Sequence, residues 1–281
     1  MPIVTLTTDI GVQDFMPGAI KGQLLKENAA FNIVDISHSL PPFNFTQAAY
    51  ICRNAIRNFP QGCFHLILIN LFDEKPEHLI LIEHDGHYIG CGDNGFITMV
   101  LEETPQKVVA LEMDKSAPKN TLQCISVFAK AINQIAGGKK LEEVGDDSVS
   151  IRVKNPLRPR LGDNWIEGQI IFVDNFENVV LNIHKDEFEQ QRKGRKFSIV
   201  FKRDEVIDKI SETYADVSEG EKLAHFNSAG YLEISLNKGN AAGLLGLQGY
   251  SENQLQNHLQ TQLAASLNNS LFYQTVKVFF E

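Results

Sequence analysis

The sequence predicts an α/β domain with a mostly parallel sheet, followed by a smaller all-β, barrel-like domain. In the first half, apolar β-type runs such as 62–70 alternate with segments of helical periodicity such as 45–59, a pattern typical of parallel sheets. In the second half, short β-type runs follow one another with little helical signal. Residues 155–164, NPLRPRLGDN, break this periodicity. We therefore predict domains of 1–158 and 164–281.

The strands predicted in the first half are short runs rich in apolar or β-branched residues. They cover 3–6, 32–36, 62–70, 78–83, 87–91 and a segment near 149–153. Apolar residues at helical spacing predict one helix after Asp14, a second over 45–59 and a third over 121–136. The third helix should stop at Gly137-Gly138, and Asp85-Gly86 should form a hairpin turn.

The second half is predicted to be antiparallel, because its β-type runs are separated by turns. These runs are 165–173, 179–184, 196–201, 231–236 and 275–280. The charged stretch 190–196 is typical of a solvated turn. The polar, Asn/Gln-rich segment 251–272 is interpreted as a solvent-facing helix or excursion before the last strand.

Composition narrows the class of protein. The chain has 281 residues, 43% of them hydrophobic and 22% charged, which is ordinary for a soluble protein of two domains. A net charge of −9 argues against a nucleic-acid scaffold and is compatible with a cationic small molecule. With no signal peptide and no apolar run of about 18 residues, no membrane partner is expected and the expected location is the cytoplasm.

Cysteines and histidines give no sign of a metal site. The four cysteines lack CxxC spacing, and the eight histidines show no HExxH pattern, so we expect no bound metal. Cys63 and Cys91 lie in strand-like runs and are expected to be buried thiols. His65 lies within the apolar run 62–70, where a hydrogen-bonded core histidine is expected rather than a ligand.

The loop between the first strand and the first helix is the first candidate site. It carries Asp9, Gly11 and Asp14, and ligands of parallel sheets bind in such loops at the carboxyl ends of strands. The loop lacks GxGxxG, and its two acids would repel a phosphate, so a hydroxyl-bearing or cationic ligand fits better. The alternative is that Asp14 only caps the helix and Asp9 only stabilises the turn.

Two further loops are candidate binding sites, and each could instead have only a structural role. His38 to Phe43, HSLPPF, is stiffened by two prolines and could place the Phe43 ring against a ligand, although Phe43 could equally be core. Asn94-Gly95 follows the hairpin strands and could be nothing more than a turn.

Taken in order, six segments resemble the S-adenosylmethionine hydroxide adenosyltransferase family, the hydrolases related to fluorinase and chlorinase. They are LTTDIGVQDFMPGAIKG, HSLPPF, GDNGFITMVLEE, IIFVDNFENVVLNI, TYADVSEGE and FNSAGYLEISLNKGNAAGLLGL. The resemblance covers the chain up to about Gly249. It implies cleavage of S-adenosylmethionine at ribose C5′ to methionine and, in the hydrolases, adenosine. It also implies homotrimers whose active sites lie between the N-terminal domain of one subunit and the C-terminal domain of the next.

The resemblance also implies a role for individual side chains. By position, Asp9 resembles the carboxylate that binds both ribose hydroxyls, a geometry suited to two carboxylate oxygens. The remaining binding positions that it implies are Asp14 and Asp174 for the methionine part, Phe43 for the sugar and adenine side, Asn94 in the asparagine-glycine turn, Phe176 and Asn178 facing adenine, Tyr214 beside the base and Ser228 in the serine turn. Asn178 and Ser228 could instead be turn formers, and Tyr214 could be core.

The chain departs from the family at the positions thought to handle the attacking water. Where the family usually has an aspartate, this chain has Asn70. The positions of the usual arginine pair are occupied by Glu77 and His78, and the position of the usual histidine by Gln123. Asn70 and Gln123 cannot take a proton at neutral pH. Asn70, His78 and Gln123 are therefore the catalytic candidates, with the acids Asp73, Glu74 and Glu77 in the same loop as His78.

The sulfonium is already a good leaving group, so positioning can supply much of the catalysis, up to about 7–11 kcal/mol. We therefore predict an adenosine-forming enzyme with an atypical trio, using S-adenosylmethionine as substrate and no cofactor. One alternative is a non-catalytic binder of the same ligand. The other is attack by another nucleophile such as halide, whose pocket would fall on Asn70, Asp73 and Cys124, where Asp73 would repel an anion.

Overall fold

A computed structural model describes residues 1–42, 44–73, 77–114, 116–202, 205–244 and 275–281. The chain divides into two compact units, Met1–Pro156 and Leu157–Glu281. Within the described ranges, no helix is long and apolar enough to cross a bilayer.

The first unit is an α/β domain whose sheet has the order β2-β1-β3-β5-β4-β6. Its elements are β1 (Ile3–Thr8), α1 (Met16–Glu27), β2 (Asn32–Ser37), α2 (Phe45–Ile56), β3 (Phe64–Leu68), β4 (His78–His84), β5 (His87–Gly92), α3 (Phe96–Leu101), β6 (Lys107–Glu112) and α4 (Thr121–Ala136). Strands β2, β1, β3 and β5 pair in parallel, and β4 is antiparallel to both of its neighbours. The prediction of a mostly parallel sheet is confirmed.

Helices cover both faces of this sheet, because side chains along a strand alternate between the faces. Leu66 and Leu68 of β3 pack in one core cluster with residues of α1 and α4. Ile67 and the following Ile69 pack in a second cluster with residues of α2 and α3. The loops at the carboxyl ends of β1, β3 and β5 are thereby left along one edge of the sheet.

The second unit is an antiparallel, barrel-like sheet in the order β11-β10-β14-β8-β9-β13-β12, with β7 beside β8. Its elements are β7 (Arg160–Leu161), β8 (Trp165–Val173), β9 (Val179–His184), α5 (Lys185–Arg192), β10 (Phe197–Lys202), β11 (Glu205–Ile207), β12 (Lys222–Phe226), β13 (Tyr231–Leu236), α6 (Ala241–Leu244) and β14 (Thr275–Phe280). A bridge from Ile210 to Ala224 brings the segment after β11 back to β12, so the sheet nearly closes. The predicted all-β domain is confirmed.

Two local predictions are wrong. Residues 149–153 form no strand: within this stretch Arg152 N donates to the side chain of Asp93, at Oδ1, at 2.9 Å instead of to a neighbouring strand. The stretch 190–196 is not a turn throughout, because α5 extends to Arg192 and buries Phe188. Segment 251–272, Phe43 and Glu74 lie outside the described residues.

The predictions for the core polar residues are confirmed. His65 is 2% exposed, with Nδ1 2.8 Å from Thr5 Oγ1 and Nε2 3.1 Å from His87 Nδ1. Cys63 and Cys91 are buried free thiols. Burial raises the pKa of Cys91, so this thiol stays protonated at neutral pH.

Candidate active site

Asp9, Asn70 and Asn94 form one hydrogen-bonded group at the carboxyl edge of the first sheet. They follow β1, β3 and β5, which are neighbours in the sheet. The backbone N of Asn70 donates to Asp9 Oδ2 at 2.9 Å. Asn94 Nδ2 donates to the carbonyl oxygens of Ile69 and Asn70 at 3.0 and 3.2 Å. Three loops that are distant in sequence are therefore joined at the position expected for a ligand.

Asn70 turns the chain sharply after the central strand. Its φ of +43° lies in the left-handed region, which asparagine tolerates better than most residues. Its carbonyl oxygen also accepts from Asp73 N at 3.0 Å, so its backbone is held on both sides. The side chain at this fixed position is a neutral amide that can orient water but cannot take its proton.

The geometry of Asn94 indicates a positioning role. This residue is 8% exposed, both amide hydrogens donate to backbone carbonyls, and Oδ1 accepts from Phe96 N at 3.1 Å. Gly95 follows with φ +81°, a conformation that glycine adopts without strain. Asn94 thus has no amide hydrogen left to donate to a ligand, and a direct contact with substrate remains a prediction.

The loop after β1 is held by a backbone hydrogen bond at Gly11, and the residues that follow Gly11 are exposed to solvent. Gly11 N donates to His38 O at 2.6 Å, which joins this loop to the proline-containing segment after β2. Asp14 Oδ1 accepts from Met16 N at 2.7 Å, but the N-cap residue of α1 is Phe15, and α1 has no side-chain cap. Val12 and Phe15 are 64% and 72% exposed. This bond uses one oxygen of Asp14, so the other can accept from a cation.

His78 begins β4 and contacts this edge through Asp93, whereas Gln123 lies at the start of α4. His78 Nε2 lies 3.1 Å from Asp93 Oδ2, and Asp93 immediately precedes Asn94. The backbone N of Gln123 donates to Asn120 Oδ1 at 3.0 Å, so Gln123 lies in the capped first turn of α4. Asp93 was not among the sequence candidates, because its partner His78 becomes its neighbour only through the pairing of β4 with β5.

Burial also decides the chemistry of Cys124, the next residue of α4. It raises the pKa of the Cys124 thiol to about 11, which leaves the thiol protonated at neutral pH.

Lys154 lies beside Asp73 and Gly95 and was not among the sequence candidates. Its Nζ lies 3.8 Å from Asp73 Oδ2 and 4.1 Å from the centroid of the Phe45 ring. Its stem runs beside Gly95, where a Cβ would come within 2.7 Å of Lys154 Cγ. The ammonium offsets the charge of Asp73, which reduces the repulsion of anions expected there. One lysine before a proline-containing boundary gives no sequence signal.

In the second unit, Asp174 organises the loop between β8 and β9. Its Oδ1 accepts from the backbone N of Phe176 and of Asn178, both at 2.8 Å, and its Oδ2 accepts from Asn178 Nδ2 at 3.0 Å. Asn178 is buried, whereas Phe176 is 75% exposed. The loop therefore presents one carboxylate and one aromatic ring on a backbone fixed by hydrogen bonds.

Tyr214 and Ser228 lie on two turns of the second unit that share a buried partner. Tyr214 OH donates to Glu233 Oε1 at 2.9 Å, and Asn227, the neighbour of Ser228, donates to Glu233 Oε2 at 3.2 Å. Sequence reasoning missed Glu233. Its signal was a single acidic residue inside the apolar run of β13, YLEISL.

Other features of the described chain lie apart from these groups. A groove of about 490 Å³ beside β6 includes Lys107 and Val109 in its lining and contains none of the predicted site residues. Within the ranges that the structure describes, no three His, Cys, Asp or Glu side chains are placed to hold a metal ion.

Two family models match this chain. The SAM hydroxide adenosyltransferase N-terminal domain matches residues 4–145, and the C-terminal domain of the same family matches residues 168–253. Together the two models cover most of the sequence and include every site residue predicted from it, whereas Lys154 lies between the two matched regions.

Curated relatives and solved structures agree with these models. An (R)-S-adenosyl-L-methionine hydrolase from Methanocaldococcus jannaschii is 27% identical, covering 90% of this chain and 95% of its own. A fluorinase from Actinopolyspora mzabensis is 24% identical over 86% of this chain and 92% of its own. An uncharacterised conserved protein from Thermotoga maritima has the same fold, with a TM-score of 0.78, 23% identity and 99% and 100% coverage. The chain belongs to the SAM hydroxide adenosyltransferase family.

Proposed function

We propose that this protein cleaves S-adenosyl-L-methionine at ribose C5′ with water, producing adenosine and L-methionine. The observation that carries this proposal is the carboxylate of Asp9, fixed by Asn70 at the carboxyl edge of the parallel sheet. A fixed carboxylate suits a vicinal diol, because its oxygens can accept from both hydroxyls. The hydrolases named among its relatives act on the same substrate.

The other acids suit the amino acid part of this substrate. Asp14 lies in the same loop as Asp9, and Asp174 is held by backbone hydrogen bonds in the second unit. A carboxylate on an ammonium forms a charge-assisted hydrogen bond, stronger than a bond between neutral groups. We assign Asp14 and Asp174 to the ammonium of the methionine part, and Phe176, Asn178, Tyr214 and Ser228 to the adenosine side.

The reaction is an in-line displacement. The oxygen of water forms a bond to C5′, the C5′–S bond breaks with its electron pair going to sulfur, and the sulfonium becomes the neutral thioether of methionine. The proton that water loses passes to solvent or to a base. Because the leaving group departs without protonation, the protein needs mainly to align water opposite sulfur and to hold the ribose.

The neutral amides of Asn70 and Gln123 leave proton removal to another group. His78 is a candidate, because donation of Nε2–H to Asp93 leaves its Nδ1 as the site that accepts a proton. A general base contributes typically about 10²–10⁴ in rate. We therefore propose slow turnover in which Asn70 and Gln123 orient water and His78 takes its proton.

We further propose that the protein is a cytoplasmic homotrimer with active sites between subunits. Exposed apolar side chains beside both candidate groups support this: Val12 and Phe15 in the first unit and Phe176 in the second are 64%, 72% and 75% exposed. Burial of such side chains against a neighbouring subunit is favourable. Sedimentation of the purified protein tests the trimer.

Incubation of the purified protein with S-adenosylmethionine, followed by chromatography for adenosine and methionine, tests the reaction. Both sulfonium epimers should be supplied, since the relatives' names specify the R form. The proposal predicts equimolar products that are lost in Asp9→Ala. Absence of adenosine with both epimers contradicts it, and a halogenated nucleoside formed in chloride or fluoride identifies halide as the nucleophile.

Mixing two inactive variants tests the shared site. Asp9→Ala lacks a group of the first unit, and Asp174→Ala lacks a group of the second. If sites form between subunits, mixed trimers contain some sites with both acids, and activity returns after unfolding and refolding the mixture. If each site is built within one chain, every site in the mixture lacks one acid and activity stays absent.

A second candidate function is non-catalytic binding of S-adenosylmethionine or adenosine. The observation that favours it is that Asn70 and Gln123 are neutral amides at two positions where the resemblance implies proton-accepting side chains. Tight binding in calorimetry without adenosine in the chromatogram distinguishes this function from hydrolysis.

A further inference from the structure

Glu233 is a carboxylate inside the core of the second unit. It lies in the middle of β13 and is 4% exposed. A charged group at this depth is costly unless hydrogen bonds replace its hydration. Its partners therefore indicate what it does for the domain.

Neutral donors hold this carboxylate. Oε1 accepts from Tyr214 OH at 2.9 Å and from Ser235 Oγ at 3.1 Å, and Oε2 accepts from Asn227 Nδ2 at 3.2 Å. His225 Nε2 lies 3.6 Å from Oε1. Among the described residues, no lysine or arginine forms an ion pair with Glu233. Two of its three bonds therefore come from neighbouring turns, and the third comes from Ser235 on its own strand.

The first of these bonds fixes an aromatic ring. Tyr214 is anchored at its hydroxyl, and its ring packs edge-on against His225 with centroids 4.8 Å apart. Burial and the nearby charge of Glu233 raise the pKa of Tyr214, so the hydroxyl remains a donor. The residue is nevertheless 42% exposed. The anchor thus holds part of the ring surface towards solvent in one orientation.

The second bond fixes the turn that carries Ser228. Asn227 Oδ1 accepts from the backbone N of Ala229 and of Tyr231 at 3.0 and 3.2 Å. Gly230 closes the turn by donating to Asn227 O at 2.8 Å. Since Glu233 holds the amide nitrogen of Asn227, it fixes which end of that amide faces the turn. Ser228 is exposed at the tip.

We propose that Glu233 is a positioning residue, which fixes the Tyr214 ring and the Ser228 turn relative to each other as one preformed surface for the adenosine part of the ligand. This rests on the proposed function. A fixed aromatic face is a stacking surface for a planar base, and a preformed surface binds more tightly because less freedom is lost.

Two matched variants separate positioning from stability. Tyr214→Phe removes the bond that anchors the ring and keeps the ring. Ser235→Ala removes a bond to the same Oε1 that leads to no predicted site residue. Each variant loses one hydroxyl donor to Glu233, so their unfolding midpoints in urea should fall by similar amounts.

Calorimetry with adenosine is the deciding measurement. We expect Kd to rise about three- to tenfold in Tyr214→Phe, the effect of one hydrogen bond, and to stay within about twofold in Ser235→Ala. Glu233→Leu should lose about tenfold or more. Glu233→Gln should largely restore binding, because its oxygen can face Asn227 while the two hydroxyls reverse to accept from its amide.

Two outcomes overturn this inference. If folded Tyr214→Phe and Ser235→Ala bind adenosine equally well, or Glu233→Leu binds as the wild type does, Glu233 is only structural. If the wild-type protein binds neither adenosine nor S-adenosylmethionine, the proposed function fails and this inference fails with it.

Discussion

The backbone N–H of Asn70 donates to Oδ2 of Asp9 at 2.9 Å, across 61 positions of the chain. The bond joins the carboxyl ends of β1 and β3 and orients the carboxylate before any ligand arrives. It uses one acceptor position of several, so the carboxylate can still accept from two hydroxyls. Asn70 makes this bond in a left-handed backbone conformation, φ +43°.

Replacement of Asp9 by Ala should reduce affinity for adenosine by about 2–4 kcal/mol, because both ribose hydrogen bonds are lost. Titration calorimetry measures this loss. Asp14→Ala is the matched control: it removes an acid from the same loop, but adenosine lacks the ammonium that we assign to Asp14. Its Kd for adenosine should stay within about twofold. Unchanged affinity in Asp9→Ala would show that the ribose lies elsewhere.

The double variant Asn70→Asp, Gln123→His restores two groups that the resemblance implies for water activation. We expect kcat to rise by about tenfold or more, since a general base is typically worth about 10²–10⁴. Aspartate tolerates the left-handed conformation at position 70 about as well as asparagine does. Steady-state kinetics should show the gain in kcat with little change in KM, and Asn70→Asp alone should give less. No gain in a folded double variant would show that proton removal does not limit turnover.

Substitution of Gly90 by Ala should destabilise the first unit by about 1–3 kcal/mol through overpacking. Its Cβ would lie 2.8 Å from Leu66 Cδ2 and 2.9 Å from Phe128 Cδ1, and Phe128 of α4 is fully buried. Gly22→Ala in α1 is the control, because its Cβ meets nothing within 4 Å and alanine favours a helix by roughly 0.5–1 kcal/mol. Urea unfolding compares the two. If Gly90→Ala were as stable as the wild type, α4 would be able to shift and make room for the added methyl group.

Stability should fall as the pH falls below 6.5, in part because of His65. Burial, and secondly the neighbouring His87, lower the pKa of His65 from 6.5 to about 4. Between these values the unfolded chain binds the proton and the native chain does not, so lower pH favours unfolding, by at most about 3 kcal/mol. The stability advantage of wild type over His65→Gln should shrink from pH 7 to pH 4. A constant advantage would contradict this.

The spacing of apolar residues predicted most of the fold, because burial of one face or of both faces of a helix or strand requires apolar residues at regular positions. The run 62–70 is apolar throughout because helices cover both faces of β3. The error at 149–153 has a physical reason: a β-branched run becomes a strand only if a neighbouring strand is free to pair. Here the side chains of Asp93 and Thr98 bind the backbone instead.

The candidate site was predictable only at residues whose type and immediate neighbours in the sequence already indicate a role. Asp9 follows a buried strand and was a candidate for that reason, whereas Asn94-Gly95 by itself indicated only a turn, and Asn94 became a candidate through the resemblance. Lys154 and Glu233 were missed, because each acquires its role from partners that only the folded chain brings close. Lys154 meets Asp73 from 81 positions away, a separation that periodicity and local turn signals do not detect.

Hydrolysis in ¹⁸O-labelled water, followed by mass spectrometry of the nucleoside, tests the central claim most directly. Attack of water on C5′ predicts adenosine that carries one ¹⁸O atom at its 5′ oxygen, released together with unlabelled methionine. Unlabelled adenosine, or none after prolonged incubation with either epimer of S-adenosylmethionine, would contradict the account.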